Sequence, residues 1–195
     1  MKKIFLMAAF AVASLTANAQ YYVGGTLGFS NDKTNNGNTK VTSYTVMPEF
    51  GTVLNDKFGV GVVLGATSET TKVTGRDDVT LTKWGINPYL RYQALEIGKV
   101  NVFVDGGVYF ESRTQKNYKA GIGLGLNVAP GIAYKLTDNI SIVAKANNLL
   151  NFGYKKDPIA DIPNAGDADT HVNAGLNTLN NFTAANLSFG FYYNF

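Results

Sequence analysis

The chain has 195 residues, a formal net charge of +3 and no cysteine, so a disulfide framework, a thiol nucleophile and a cysteine metal site are all excluded. Its acidic and basic residues are nearly balanced, and a nucleic-acid partner, which requires a concentrated basic face, is not expected. The length suits one domain.

The first predicted element is a leader segment. Lys2 and Lys3 precede an apolar run from Ile4 to about Val12, and residues 17–19 read Ala-Asn-Ala. A charged start, an apolar run and a small-x-small site are the parts of a cleaved secretory signal peptide. The run is shorter than the roughly 20 residues that a spanning helix needs. We therefore predict a signal peptide over 1–19 and one domain over 20–195.

The rest of the chain alternates between large apolar and small or polar residues. Such period-2 runs, bounded by turn residues, predict β-strands. The clearest is GIGLGLNVAPGIAY, residues 121–134, where isoleucine, leucine, valine and tyrosine alternate with glycine, asparagine and alanine. The predicted strands are 21–29, 41–53, 58–68, 80–93, 100–113, 119–134, 140–152 and 187–195.

The connections between these strands alternate in length. Short turns fall at 55–56, 98–99 and 138–139, and long polar loops lie near residues 35, 75, 116 and 166. The longest connection is predicted from Lys155 to about Asn181. Outer-membrane barrels have short turns on the periplasmic side and longer loops outside, and an even strand number brings both termini to the short-turn side.

Two arrangements of such strands are possible. A soluble β-sandwich would bury the apolar faces and expose charged ones, whereas here the second face is small and rich in glycine. After residue 19 no apolar run is long enough for a membrane helix, so a membrane-inserted form must be a closed barrel. We predict an all-β fold, a single eight-stranded antiparallel transmembrane up-and-down β-barrel, with the sandwich as the alternative.

Aromatic residues recur near the ends of the predicted strands. Barrels that cross a membrane carry aromatic girdles at both interfaces. On the short-turn side the predicted lipid-facing girdle consists of Tyr21, Phe58, Tyr92, Tyr134, Tyr193 and Phe195. On the loop side it consists of Tyr44, Trp84 and Phe110.

Several charged residues fall on the small, inward faces. The predicted lumen charges are Glu49, Lys83, Arg91, Asp105, Glu111, Arg113 and Lys145. Because buried charges must be paired, we predict a salt-bridge network, with Glu49, Arg91 and Asp105 near mid-height. Eight strands leave room for little beyond side chains, which favours a polar plug; a gate in a narrow ion pore is the alternative.

Residues with catalytic or metal-binding chemistry are few. His171 is the single histidine, and the segment between Asp157 and Asn181 holds no serine that it could activate, so we expect no enzyme activity. Asp161, Asp167 and Asp169 precede it without the spacing of a calcium loop. We expect neither a metal nor a cofactor.

Three stretches carry a resemblance to a known family: Ala-Asn-Ala-Gln at 17–20, PGIAYKLTDNISI at 130–142 and the terminal FGFYYNF. The chain resembles small outer-membrane barrels of the OmpA/OmpX type, and within them the porin-like outer membrane protein beta-barrel domain of Bacteroidetes-type bacteria. The resemblance implies the outer membrane of a Gram-negative bacterium, contact with its lipid, and recognition of Phe195 by the barrel-assembly machinery. The peptidoglycan-binding domain that follows the barrel of OmpA is not expected here.

Three functions remain open at this point. The first is a structural or surface-interaction role in which the loop at 155–181 meets an external partner. The second is a narrow porin-like channel for ions or small solutes. The third and remotest is a lipid-modifying barrel enzyme.

Overall fold

A computed structural model describes residues 20–34, 38–146, 149–160, 169–176 and 187–195 as strands and turns. The predicted signal peptide, residues 1–19, lies outside the described residues. Within the described ranges no helix is long and apolar enough to cross a membrane. The strands are β1 (Gln20–Thr34), β2 (Thr39–Val53), β3 (Phe58–Val73), β4 (Val79–Ile97), β5 (Val100–Gln115), β6 (Tyr118–Lys119), β7 (Gly121–Lys135), β8 (Ile140–Ala146), β9 (Leu150–Lys156), β10 (Ile159–Ala160), β11 (Thr170–Leu176) and β12 (Leu187–Asn194).

The strands close into an antiparallel barrel. β1 to β5 follow one another as hairpins, β7 pairs with β5, β8 pairs with β7 and β12, and β12 returns to β1. β9 also pairs with β7, so β8 and β9 together form the seventh wall strand, and β11 and β12 form the eighth. The predicted all-β, eight-stranded antiparallel barrel is confirmed.

The loop end differs from the prediction. β3 continues to Val73 and β5 to Gln115, and β11 lies inside the segment predicted as the 155–181 loop. β11 pairs with β9 from Thr170 opposite Lys156 to Leu176 opposite Leu150. The sequence THVNAGL alternates with period 2, but its asparagine, alanine and glycine are weak strand formers, so its strand conformation depends on hydrogen bonds to the neighbouring β9. The connection predicted from Lys155 to about Asn181 therefore contains a strand that the prediction missed.

Side-chain polarity fixes the tight turns at the other end. Asn55 accepts hydrogen bonds through Oδ1 from the amides of Lys57 and Phe58, both at 2.9 Å. Thr137 Oγ1 accepts in the same way from the amide of Ile140 at 3.0 Å. Short polar side chains that bond to the backbone two or three residues ahead are typical turn formers. These two turns fix the register of the β2–β3 and β7–β8 hairpins at one rim.

Alternation along each strand separates a lumen from an outer surface. Inward residues such as Tyr22, Phe103 and Val143 are buried, whereas outward ones such as Leu27 and Phe191 are more than half exposed. A slip of one residue in any pairing would exchange the two sets. The apolar face therefore points out of the barrel, and the packed core lies inside it.

Candidate functional site

A cluster of buried charges lies in the lumen at mid-height. Glu49 comes from β2, Arg91 from β4, Asp105 from β5 and Lys145 from β8. Arg91 lies directly opposite Asp105, which brings that pair together through strand register alone. Each of the four residues is at most 5% exposed. Barrel closure is what brings Glu49 and Lys145 to the same place from distant strands.

The four charges neutralise one another. Arg91 donates from Nε to Asp105 Oδ1 at 2.7 Å and from Nη2 to Asp105 Oδ2 and Glu49 Oε1, both at 2.8 Å. Lys145 Nζ lies 2.7 Å from Asp105 Oδ2 and 3.0 Å from Glu49 Oε2. Two cations thus face two carboxylates. Buried ions are tolerated when each is paired and hydrogen-bonded, as here.

Three tyrosine hydroxyls complete the network. Tyr89 and Tyr192 donate to Glu49 Oε1 at 2.5 and 3.0 Å, and Arg91 Nη2 donates to the Tyr192 hydroxyl at 3.1 Å. Tyr22 shares a hydrogen bond with the Tyr89 hydroxyl. These contacts satisfy lone pairs that the cations leave open, which lowers the cost of burying Glu49.

Aromatic rings fill the remaining space around Arg91. The Phe103 ring centroid lies 3.9 Å from Arg91 Cζ, a close cation–π contact. This ring packs directly on Gly131, where an added Cβ would come within 2.4 Å of Phe103 Cζ. Tyr89 likewise leaves no room for a Cβ at Gly61. The inward glycines of β3 and β7 therefore make space for the rings that close the lumen.

Above this network, toward the long loops, the lumen contains a cavity of about 380 Å³. Its floor includes Glu49, Tyr89 and Lys145. Its walls include serine, threonine, asparagine and glycine, and near the loops it reaches Glu69 and Lys155. The buried network therefore separates this cavity from the short-turn end of the barrel.

The other three predicted lumen charges lie nearer the loops and form separate pairs. Lys83 Nζ lies 3.1 Å from Glu69 Oε2. Arg113 bonds to Glu111 at 2.8 Å and to Asp157 at 2.6 Å. The structure thus brings four of the seven predicted residues into one cluster and leaves three outside it.

Sequence reasoning left out several members of these clusters. Tyr22, Tyr89 and Tyr192 share the inward face with neighbouring small and charged residues, and that alternation was the signal that could have found them. Asp157 carried no such signal, because it follows the end of β9 in the segment interpreted as a loop. Its role became visible only through its contact with Arg113.

The nine predicted girdle aromatics all lie exposed on the outward face, from Tyr21 at 37% to Phe195 at 71%. Two pairs are in ring contact at the short-turn rim: Phe58 and Tyr92 are tilted with centroids 5.5 Å apart, and Tyr193 and Phe195 meet edge to face with centroids 5.0 Å apart. The remaining members are Tyr44, Trp84, Phe110 and Tyr134. Their contact with lipid stays a prediction.

The loop residues considered for catalysis and metal binding are only partly described. Asp161 and Asp167 lie outside the described residues. In the part of the chain that is described, no group of three or more histidine, cysteine, aspartate or glutamate residues could hold a metal ion. His171 Nε2 lies 3.2 Å from Asp157 Oδ2, which ties β11 to the Arg113 pair.

Comparison with known proteins gives a family and a fold. The family model described as outer membrane protein beta-barrel domain matches residues 4–195. The structure of the outer membrane protein OprG from Pseudomonas aeruginosa is similar with a TM-score of 0.51 and 16% identity, over 91% of this chain and 95% of that one. Neisserial surface protein A is similar with a TM-score of 0.43 and 13% identity, over 91% and 96% of the two chains. No curated protein matches the chain.

Proposed function

The chain belongs to the outer membrane protein beta-barrel domain family, and from that premise we propose that it is a structural outer-membrane barrel with a closed lumen and an interacting outer surface. The observation that carries the proposal is the neutral, buried network of Glu49, Arg91, Asp105 and Lys145. A water-filled path would have to hydrate these charges, whereas here they are bonded to one another.

The size of the barrel supports the same conclusion. An eight-stranded barrel has an interior just wide enough for side chains to fill it. Tyr22, Phe103 and Tyr192 add three buried rings around the charges. Charged and aromatic side chains from six wall strands meet at this level, and together they close the lumen.

We further propose that the long loops face the exterior and the short turns the periplasm, as in other outer-membrane barrels. Insertion of an epitope tag between residues 161 and 168 tests this orientation. We expect antibody staining of intact cells. Staining that requires permeabilised cells would overturn the orientation.

The surface-interaction part of the proposal concerns residues 155–181. Within their described part, β11 adds a strand beside β9, and Val172 on it is 71% exposed. This places an exposed apolar side chain on the loop side of the barrel, where an external partner can reach it. Replacing residues 161–168 by a short glycine-serine linker is expected to leave the barrel folded and to reduce attachment to such a partner.

Conductance across a planar bilayer tests the closed lumen. We expect no single-channel steps from the wild-type protein, with heat-dependent mobility on a gel to show that it is folded. Arg91→Ala removes the central cation and is expected to open measurable current, while Arg76→Ala in the β3–β4 turn leaves the lumen closed. Silence of both variants would still support closure, by the surrounding rings. Current through the wild type would overturn the proposal.

A narrow channel for ions or small solutes is the second candidate. The cavity of about 380 Å³ above the network favours it, because it covers part of a path through the barrel. Wild-type current in the same experiment would support this candidate. Enzyme activity remains unexpected, and analysis of membrane lipids after expression checks it: an altered lipid species would contradict that expectation.

A further inference from the structure

Three lysines lie side by side on the outward face at the loop end of β1, β2 and β3. Lys33 is directly opposite Lys40, and Lys40 is directly opposite Lys72. Residues directly opposite in an antiparallel pair share a face, with Cβ atoms about 4.5–5.5 Å apart, and like charges in such positions are destabilising. This lysine row is therefore a concentration of positive charge that the barrel itself does not require.

The row is only partly neutralised by protein groups. Lys72 Nζ forms an exposed ion pair with Asp78. Within the described residues, neither Lys33 nor Lys40 has a carboxylate within ion-pair distance. Among the described residues, three cations and one carboxylate therefore leave two positive charges without an ion-pair partner at this edge of the barrel.

The rows of residues below the lysines change character in a fixed order. Moving away from the loops along β1 and β2, the outward pairs are Lys33 with Lys40, Asn31 with Thr42, Phe29 with Tyr44, and Leu27 with Val46. The hydroxyl row continues across β3 and β4 through Thr70 and Thr80, whose Oγ1 atoms are 3.2 Å apart. Charge, hydroxyl, aromatic and aliphatic layers thus succeed one another, as headgroup, interface and acyl chains do in a bilayer leaflet.

The opposite end of the barrel lacks this feature. In the described wall strands, no lysine or arginine faces outward near the short turns, and Lys57 and Lys99 there belong to the turns themselves. Outward cations at one end only match a membrane whose two leaflets differ in anionic headgroups. The lysine row also lies on the outward surface, two rows above the exposed aromatics Phe29 and Tyr44, and it lines neither described cavity, which favours a membrane-borne anion over a soluble one.

We propose that Lys33, Lys40 and Lys72 bind the phosphate groups of phosphorylated lipopolysaccharide in the outer leaflet. The inference rests on the orientation in the proposed function. Ammonium groups supply the charge, and the hydroxyls of Thr42, Thr70 and Thr80 offer further donors one row below. Phosphate binding removes the repulsion within the row and seats the β1–β3 edge at the level of the lipid headgroups.

The effect of one substitution on thermal stability, measured in two lipid compositions, tests the proposal. Lys40→Gln removes the central charge, so in phosphatidylcholine vesicles it is expected to leave the thermal midpoint unchanged or raise it, because it relieves repulsion. In vesicles that also contain bis-phosphorylated lipid A, the same substitution is expected to lower the midpoint. Lys57→Gln, the same change in a short turn, is the matched control and should respond equally in both vesicles. Equal shifts of Lys40→Gln in both lipids would overturn the proposal.

Binding of lipid A measures the same contact directly. Each lysine near an anionic surface contributes about 1 kcal/mol to binding, and about 1.4 kcal/mol corresponds to a tenfold change in affinity. The double variant K33Q/K40Q should therefore weaken binding about 10–30-fold. The double variant K57Q/K99Q should bind as the wild type does. Dephosphorylated lipid A should show no difference between the variants. If inorganic phosphate added to phosphatidylcholine vesicles reproduced the stabilisation, the assignment to a lipid phosphate would be wrong.

Gel mobility with and without boiling separates this inference from the proposed function. If every variant keeps its heat-dependent mobility and the loop tag is external, but lipid A fails to distinguish K33Q/K40Q from K57Q/K99Q, the lysine row has no lipid role and the barrel proposal stands. If the wild type shows no heat-dependent mobility, or if its loop tag is not external, the proposed function itself is wrong.

Discussion

At the scale of single residues, Arg91 is the side chain on which the lumen depends most. It bonds to both carboxylates of the network and to the Tyr192 hydroxyl, and it lies over the Phe103 ring. Its planar guanidinium holds both oxygens of Asp105 through two N–H groups and also reaches Glu49, a fork of donors that a lysine ammonium lacks. Removing it leaves two buried carboxylates with Lys145 as the one cation of the network.

We expect Arg91→Ala to reduce the free energy of unfolding by about 3–5 kcal/mol, the usual cost of breaking a buried ion pair from one side. Urea unfolding in phosphatidylcholine vesicles, followed through the fluorescence of the single tryptophan, Trp84, measures it. Arg76→Ala in an exposed turn should stay within about 0.5 kcal/mol of the wild type. A loss for Arg91→Ala no larger than that of the control would contradict the central role of this residue.

Alternation in the sequence predicts which charges face inward, but it does not predict which of them meet. Glu49, Arg91 and Asp105 were expected together near mid-height, and they lie together. Lys83, Glu111 and Arg113 have the same inward parity yet pair nearer the loops. The difference depends on the stagger between neighbouring strands, which sets the height of each residue and is not visible in any one strand.

At the scale of elements, the loop end is tied together by side-chain contacts between strands far apart in sequence. Asp157, just after β9, bonds to Arg113 of β5, and its Oδ2 lies 3.2 Å from Nε2 of His171 in β11. β6 and β10 add a small two-stranded sheet between the same segments. These contacts hold β11 against the barrel although the sequence of β11 has little strand preference of its own.

We expect Asp157→Asn to speed amide hydrogen exchange in β11, residues 170–176, by about two- to fivefold, the range for losing half-exposed ion pairs worth up to about 1 kcal/mol. Exchange measured by mass spectrometry on the protein in vesicles gives the rate. Asp78→Asn, which removes the ion pair of another loop, should leave β11 unchanged. Equal protection of β11 in the Asp157→Asn variant and the wild type would show that backbone pairing alone holds this strand.

At the scale of the whole molecule, the barrel reverses the distribution of polarity of a soluble protein, with apolar side chains outside and charged ones inside. Leu126 and Phe152 on the outside are more than half exposed, while Glu49 and Arg91 inside are buried. A surface of this kind is stable only against lipid, because exposing so many apolar side chains to water would carry a large unfavourable free energy. The membrane is thus the solvent that makes this sequence fold as it does.

Arginine substitutions at two depths along one strand test this placement. Leu126→Arg, in the middle of β7, is expected to lower the free energy of unfolding in vesicles by about 2–4 kcal/mol. Leu136→Arg, one residue past the end of the same strand, should cost about 0–1 kcal/mol, because this position lies near the membrane interface rather than in the hydrocarbon core. Urea titration of both variants gives the two values. Similar costs at the two positions would mean that Leu126 does not face the hydrocarbon core.

The sequence by itself determined the fold class, the inward and outward faces and the tight turns. Period 2 and short polar side chains are local properties, as Gly121–Lys135 and the Asn55 turn illustrate. Only the tertiary structure decided that Glu49 meets Lys145, 96 positions apart, that β11 extends the wall, and that Lys33, Lys40 and Lys72 form one row. Barrel closure and strand register set these contacts, and both arise from the joint hydrogen bonding of all the strands, so no single segment of sequence encodes them.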